Sequence, residues 1–335
     1  MRKYNKKIEV SSDKYGRIYV SNIGWFITKK PNKLFYLKKN DDKYKLYEYE
    51  KNKRAEFTFE PISLIKSTNI ELMQYPIALF NQCYYDVDEN LIDVEIEDIT
   101  KRQKKNLEKA FQLIKKHSPE QYKLIDLVVK KNVIFNIDSG LRNSFATLKA
   151  HGAAFYNCYQ EDYSEVFFVD DIAHQTGHCI FYTLLEDTKK FIKVDSSTKL
   201  ETISYGINET ETRDVYILFH ALYTYYTSLK CLDACLASNS IKGLKRHEAL
   251  GRIWFYIRKC NHDILLVENS SELDSASQKL FTQQGLYIYK EIKETLKEMA
   301  TKWYQKVKKF DLSNQPYNFT FSKFLELNPL NEITN

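Results

Sequence analysis

The hydrophobic and polar positions divide the chain into a stretch of short strands and a helical remainder. Up to about residue 60, short runs rich in Ile, Val, Tyr and Phe alternate with turn-forming Asp, Asn and Pro, which predicts strands. From residue 98 the apolar positions recur at the helical spacing, as in Leu107, Ala110, Phe111 and Ile114. This pattern predicts an α+β protein with a mostly α-helical body and a small β-rich N-terminal part.

The same pattern suggests where the parts of the chain begin and end. We expect a β-rich N-terminal region over residues 1–60, a mainly helical domain over residues 61–310, and a peripheral C-terminal tail over residues 311–335, where NQP and NPLN mark turns. Helices are predicted at about residues 98–118, 119–131, 166–185, 212–237, 245–267 and 282–307.

The most informative of these helices reads VFFVDDIAHQTGHCIFYTLL and covers residues 166–185. His174 and His178 lie four residues apart in it, about one helical turn, so both imidazoles point from one face. One divalent metal needs this geometry from two ligands on a helix. The alternative is two unrelated histidines in an apolar helix.

Gln175 follows the first histidine, where zinc proteases with an H-E-x-x-H motif carry a glutamate. That glutamate removes a proton from the metal-bound water, and an amide cannot do so. The motif therefore indicates a metal but disfavours hydrolysis by zinc.

A later helix, predicted from about residue 212, contains Arg213 and His220. They are seven residues apart, which is nearly two turns and roughly 10 Å along the helix axis. A third metal ligand and a guanidinium on one stripe would suit a metal-chelating dicarboxylate, with one end on the metal and the other on the arginine. Alternatively, Arg213 pairs with acidic neighbours at the helix start, Glu209 or Glu211.

Charge and composition narrow the class of protein. The net charge is +6, from 50 Lys and Arg against 44 Asp and Glu, and the lysines are dispersed, so we expect no nucleic-acid partner. The first residues lack the apolar core of a secretory signal, and no apolar run is long enough to span a membrane. Six cysteines without a C-x-x-C pair are typical of reduced thiols, so we expect a cytoplasmic location.

The order of these motifs resembles a known family. The run NLEKAFQLIKKHSPEQYKLIDLVVKKNVIF is followed by SFATLKAHGAAFY, the H-x-x-x-H helix, TRDVYILFHALY and finally LFTQQGLYIYKEI. This succession resembles the HExxH-type peptide β-hydroxylases of ribosomal-peptide biosynthesis, which are iron(II)- and 2-oxoglutarate-dependent oxygenases. The resemblance covers about residues 60–300, and Gln175 makes the motif an HQxxH variant.

The resemblance implies a role for each site residue. His174 and His178 would hold iron(II), His220 would be the third ligand, and Arg213 would bind 2-oxoglutarate. Gln175 would occupy the catalytic position of the family's glutamate. If that glutamate only supports a metal ligand, a glutamine can replace it; if it acts as a base, a glutamine cannot. Non-haem iron oxygenases need about three protein ligands. Asp195 and Glu186 compete with His220 for the third place, and the other arginines considered for the keto acid are Arg142, Arg252 and Arg258.

The resemblance thus implies an oxygenase that hydroxylates a side-chain β-carbon of a ribosomally synthesised precursor peptide, with zinc as a substitute metal. A non-catalytic peptide-binding protein with a relict metal site is the main alternative, and a zinc metallopeptidase is less favoured. A peptidase should be switched on by Gln175→Glu. Absence of metal after purification would favour the binding protein.

Overall fold

The computed structural model describes residues 7–40, 43–85, 89–159, 163–200, 203–205, 209–211, 213–269 and 276–330. Small sheets occupy the N-terminal part and helices the C-terminal part, so the predicted α+β class is confirmed. The strands are β1 (Lys7–Ser11), β2 (Arg17–Val20), β3 (Gly24–Ile27), β4 (Leu34–Asn40), β5 (Lys43–Glu48), β6 (Arg54–Ala55), β7 (Thr58–Pro61), β8 (Glu71–Leu72), β9 (Lys131–Phe135), β10 (Phe145–Ala146), β11 (Ala153–Asn157), β12 (Ile203–Tyr205) and β13 (Glu209–Glu211).

The helices account for most of the regular structure after residue 97. They are α1 (Ala78–Asn81), α2 (Glu97–His117), α3 (Pro119–Val128), α4 (Glu165–Leu184), α5 (Val215–Ala237), α6 (Gly243–Asn269), α7 (Ala276–Leu280), α8 (Gln283–Val307) and α9 (Phe321–Leu327). In the described part of the chain, no helix combines the length and apolar character needed to cross a membrane.

The N-terminal strands form two antiparallel sheets, in the orders β1-β4-β5-β6 and β2-β3-β7. Alternate residues of a strand face opposite sides, and the inward ones here bury a small core. It consists of Ile18, Phe26, Phe35, Leu37, Leu46 and Ala55. The β-rich region that the sequence predicts is therefore a small unit with its own core.

A third sheet, with the order β10-β11-β9-β8, packs against both this unit and the helices. Strands β8, β9 and β11 run parallel, and β10 is antiparallel at the edge. Helix α4 packs on β11 and lies among α2, α5 and α6, which makes it the central helix of the body. All six cysteines are buried free thiols, in agreement with the reduced state that the sequence predicts.

Short polar side chains determine where the two central helices begin. Ser164 accepts a hydrogen bond from the backbone N–H of Val166 and starts α4. Asp214 accepts from the N–H of Ile217 at 2.7 Å, so α5 begins at Val215 rather than near residue 212, which lies outside the described residues. Consequently Arg213 precedes the helix instead of lying on its surface.

The segment after residue 310 differs from the peripheral tail that the sequence predicts. Phe324 is fully buried against Gly251 of α6, where a Cβ atom would come within 2.8 Å of the Phe324 ring. The backbone carbonyl of Asn328 lies 2.7 Å from Nε2 of His247. The missing side chain at Gly251 leaves a notch that Phe324 fills, and this contact holds the segment on the helical body.

Candidate metal centre

A cavity of about 210 Å³ lies among α4, α5 and α6, large enough to hold several water molecules. His174 and His178 line it from α4, His220 from α5 and Lys259 from α6. Tyr317 of the C-terminal segment forms part of the wall. The structure thus brings the three predicted metal ligands together in one cavity.

The close crossing of α4 and α5 is what brings the histidines together. Gly177 lies at the crossing, and a Cβ atom there would come within 2.7 Å of the Thr227 hydroxyl oxygen. That hydroxyl donates to the backbone carbonyl of Ala173 at 2.9 Å and fixes the two helices against each other. A glycine between two histidines on α4 therefore allows His220 to approach them.

Two of the three imidazoles, those of His178 and His220, are separated by a distance typical of ligands to one metal. Nδ1 of His178 and Nδ1 of His220 are 3.5 Å apart, close to the roughly 3.3 Å expected for two nitrogens bound to one metal. The ring centroid of His174 lies 5.2 Å from that of His178. Within the described residues, no three His, Cys, Asp or Glu side chains form a group that could hold a metal ion.

All three imidazoles are neutral at physiological pH. Burial, and to a smaller extent a neighbouring positive charge or imidazole, lowers the pKa of each histidine to about 3. For His174 that second contribution to the pKa comes from the Lys259 ammonium group. A neutral imidazole offers a lone pair, which is the form that binds a metal.

The nitrogens of these rings are barely used by the protein. In the part of the chain that the structure describes, the contact between His178 and His220 is the only hydrogen bond that the three rings make. Nδ1 of His174 and Nε2 of His220 are buried without a partner there. Buried polar atoms are bonded in the great majority of cases, so three under-used imidazoles in one cavity indicate a site for a ligand or metal.

Arg213 lines the same cavity, although it lies before helix α5. Its side chain is buried, and Nη1 donates to Oδ2 of Asp263 on α6 at 2.7 Å. Nη2 donates to the Tyr317 hydroxyl at 3.1 Å. The predicted alternative partners, Glu209 and Glu211, have side chains outside the described part of the structure.

The other residues considered as the third metal ligand or as the arginine that binds the keto acid lie outside this cavity. Asp195 accepts hydrogen bonds from the backbone and hydroxyl of its neighbour Ser197 in an exposed turn, and Glu186 is exposed. Of the other arginines considered, Arg142 donates to a backbone carbonyl, Arg252 is buried against two carboxylates, and Arg258 is exposed. Of the candidate third ligands, His220 is therefore the one that lines the cavity, and of the candidate arginines, Arg213 is.

Gln175 is buried but is not part of the cavity lining. Its Nε2 donates to Oδ1 of Asp171, one turn earlier, at 3.0 Å. Burial raises the pKa of Asp171 to about 7. The residue that the sequence assigns a catalytic position is thus turned towards a buried carboxyl group and not towards the histidine cavity.

This contact predicts the effect of Gln175→Glu. We expect a loss of about 1–3 kcal/mol in the free energy of unfolding at pH 8, because two carboxylates then face each other. Since the pKa of Asp171 is about 7, at pH 6 its carboxyl keeps a proton to donate, and the loss should be smaller. Urea unfolding at both pH values measures it, and no peptidase activity should appear.

A second substitution controls for simple misfit at this position. Adding Asp171→Asn to Gln175→Glu restores a donor and an acceptor, because the new amide can donate to the new carboxylate. Stability should then return close to that of the unaltered protein at both pH values. An equal loss at pH 6 and pH 8 for the single variant would contradict the proposed repulsion.

Sequence reasoning missed three residues of the site: Lys259, Asp263 and Tyr317. Tyr256, Lys259 and Asp263 are spaced by three and four residues, so one face of α6 could have been identified from the sequence. Tyr317 lies in the C-terminal segment and reaches the cavity only through the packing of that segment on α6, which no local pattern indicates.

Comparisons with known proteins do not assign the chain to a family. No protein-family model matches it, and no similar curated protein is found. The resemblance to the peptide β-hydroxylases therefore stays a prediction. The support for a function comes from the residues of the cavity.

Proposed function

We propose that the protein is an iron(II)- and 2-oxoglutarate-dependent oxygenase that hydroxylates a side-chain β-carbon of a ribosomally made peptide. His174, His178 and His220 would hold the metal. The observation that carries the proposal is the group of three neutral imidazoles in one cavity, whose nitrogens make almost no hydrogen bonds within the described structure.

The residues fit a metal in part. His178 and His220 are already at a separation that one metal ion can bridge, and His174 would complete the set by rotating its side chain towards them. Imidazole ligands suit iron(II) and zinc alike, so zinc is expected to bind as a substitute. When bound, iron(II) supplies the activation of O2 that amino-acid side chains lack.

The cavity also fits a small dicarboxylate. Arg213 and Lys259 line it, and the lining contains no Asp or Glu among the described residues. Asp263 balances the charge of Arg213 from behind, while the Lys259 ammonium group donates to the backbone carbonyl of Tyr317 at 2.6 Å. These groups would bind and orient the carboxylate of 2-oxoglutarate, and the surrounding tyrosines would limit the access of water.

The decisive test measures metal content and oxygen-dependent conversion of 2-oxoglutarate to succinate after anaerobic reconstitution with iron(II). We expect about one iron per chain and succinate formation that requires O2. Lys259→Met should raise the 2-oxoglutarate concentration for half-maximal turnover at least about tenfold, while Lys306→Met, on α8, should leave it unchanged. Bound zinc with peptide cleavage, or no bound metal, would contradict the proposal.

A non-catalytic peptide-binding protein is the second candidate. It is favoured by the incomplete grouping of the imidazoles, since the described residues provide no complete ligand set. A zinc peptidase is less well supported, because Gln175 is engaged with Asp171 and no carboxylate among the described residues lines the cavity as a general base.

A further inference from the structure

A groove of about 860 Å³, four times larger than the histidine cavity, separates the N-terminal unit from the segment before α2. One wall is the turn between β1 and β2, and the other is formed by residues 91–98. Arg17 and Glu97 form an ion pair of 2.7 Å that joins the two walls. The size is at the upper end for binding sites in proteins.

The floor of this groove is apolar. Its buried lining residues include Met73, Ile77, Phe80, Ile96 and Val133. Two large side chains on the walls remain open to solvent, Tyr15 at 55% and Leu91 at 51% exposure. Apolar surface in a concave site can take up an apolar side chain of a ligand.

The walls carry the opposite charge to the chain as a whole. The described lining residues include five carboxylates and two cations; the carboxylates are Asp13, Asp93, Glu95, Glu97 and Asp98. The net charge of the protein is +6, so this groove is a local reversal of sign. A cationic ligand would be attracted to the groove and repelled by much of the remaining surface, whereas a phosphate backbone would be repelled by the groove.

We propose that this groove binds an extended peptide segment in which an apolar side chain is flanked by lysine or arginine. The apolar side chain would lie on the floor, and the cations would pair with Asp93 and the other wall carboxylates that Arg17 does not neutralise. The inference goes beyond the proposed oxygenase activity, because it concerns a second site and requires no metal. Failure of the oxygenase chemistry would leave it standing.

Fluorescence anisotropy on the full chain tests the proposal. The probe is a fluorescein-labelled decapeptide that alternates lysine with leucine, and the comparison peptide alternates glutamate with leucine. We expect saturable binding of the lysine peptide that weakens with salt, and no binding of the glutamate peptide. Equal binding of both peptides, or none of either, would overturn the proposal.

Two pairs of charge reversals locate the binding. Asp93→Lys with Asp98→Lys should weaken binding of the lysine peptide at least about tenfold. Glu294→Lys with Glu298→Lys changes the net charge equally on the exposed face of α8 and should change the affinity less than twofold. An equal loss in both pairs would contradict the groove as the site.

A third variant and a measurement of mass complete the test. Leu91→Ser removes exposed apolar surface without changing charge, and it should weaken binding several-fold. Circular dichroism checks that each variant folds. Sedimentation that shows a dimer of the unaltered chain, lost with the groove reversal, would instead assign the groove to a second copy and overturn the peptide proposal.

Discussion

His178→Ala and His220→Ala are each expected to lower the affinity for iron(II) by more than about 100-fold. These two rings have the separation of metal ligands, with 3.5 Å between their Nδ1 atoms. Loss of a supporting outer-shell partner typically costs 10–100-fold in metal affinity, so loss of a direct ligand should cost more. Metal content after anaerobic equilibration and titration with iron(II) gives the result.

His174→Ala distinguishes a three-histidine site from a two-histidine site. Its ring lines the cavity with a centroid 5.2 Å from that of His178, so its loss tests whether it also binds the metal. We expect the affinity for iron(II) to fall by more than about 100-fold here as well. His151→Ala serves as the control, because His151 is exposed and contacts Thr183 outside the cavity lining.

The fold should persist in these variants, because each removes part of one side chain from the wall of an existing cavity. Thermal unfolding of the metal-free proteins checks this. Added iron(II) should raise the melting temperature of the unaltered chain but not that of the three histidine variants. Stoichiometric iron in both His178→Ala and His220→Ala would remove these residues from the proposed site.

The parts of the site that follow from local spacing could be predicted from the sequence. Two histidines one turn apart share a helix face whatever the rest of the chain does, so His174 and His178 were predictable as a pair. The contact of Gln175 with Asp171 also has helical i, i+4 spacing and was open to the same reasoning. The resemblance to HExxH enzymes instead implies a catalytic position for Gln175, whereas its side chain is turned towards Asp171.

The parts that depend on long-range packing could not be predicted. Arg213 pairs with Asp263, fifty positions later, because the start of α5 is placed against α6. The segment of Tyr317 reaches the cavity because Phe324 fills the notch at Gly251. Periodicity assigns each residue to a helix or strand but does not specify which faces meet.

The buried ion pair of Arg213 and Asp263 should contribute strongly to the stability of the fold. Their side chains are 1% and 0% exposed, so Asp263→Ala would leave a buried guanidinium without its carboxylate. We expect a loss of about 3–5 kcal/mol in the free energy of unfolding, measured by urea denaturation. Exchanging both partners for apolar residues of similar size, Arg213→Met with Asp263→Leu, should recover most of that stability.

The double variant also separates the two roles of Arg213, because it removes the guanidinium from a protein that still folds. If Arg213 binds the keto acid, the 2-oxoglutarate concentration for half-maximal succinate formation should rise at least about tenfold in the double variant. An unchanged value would remove Arg213 from the keto-acid site. A rise confined to Lys259→Met would then assign the carboxylate to Lys259, whose charge lowers the pKa of His174 in the same cavity. Arg213 would in that case serve only to join α5 to α6 through Asp263.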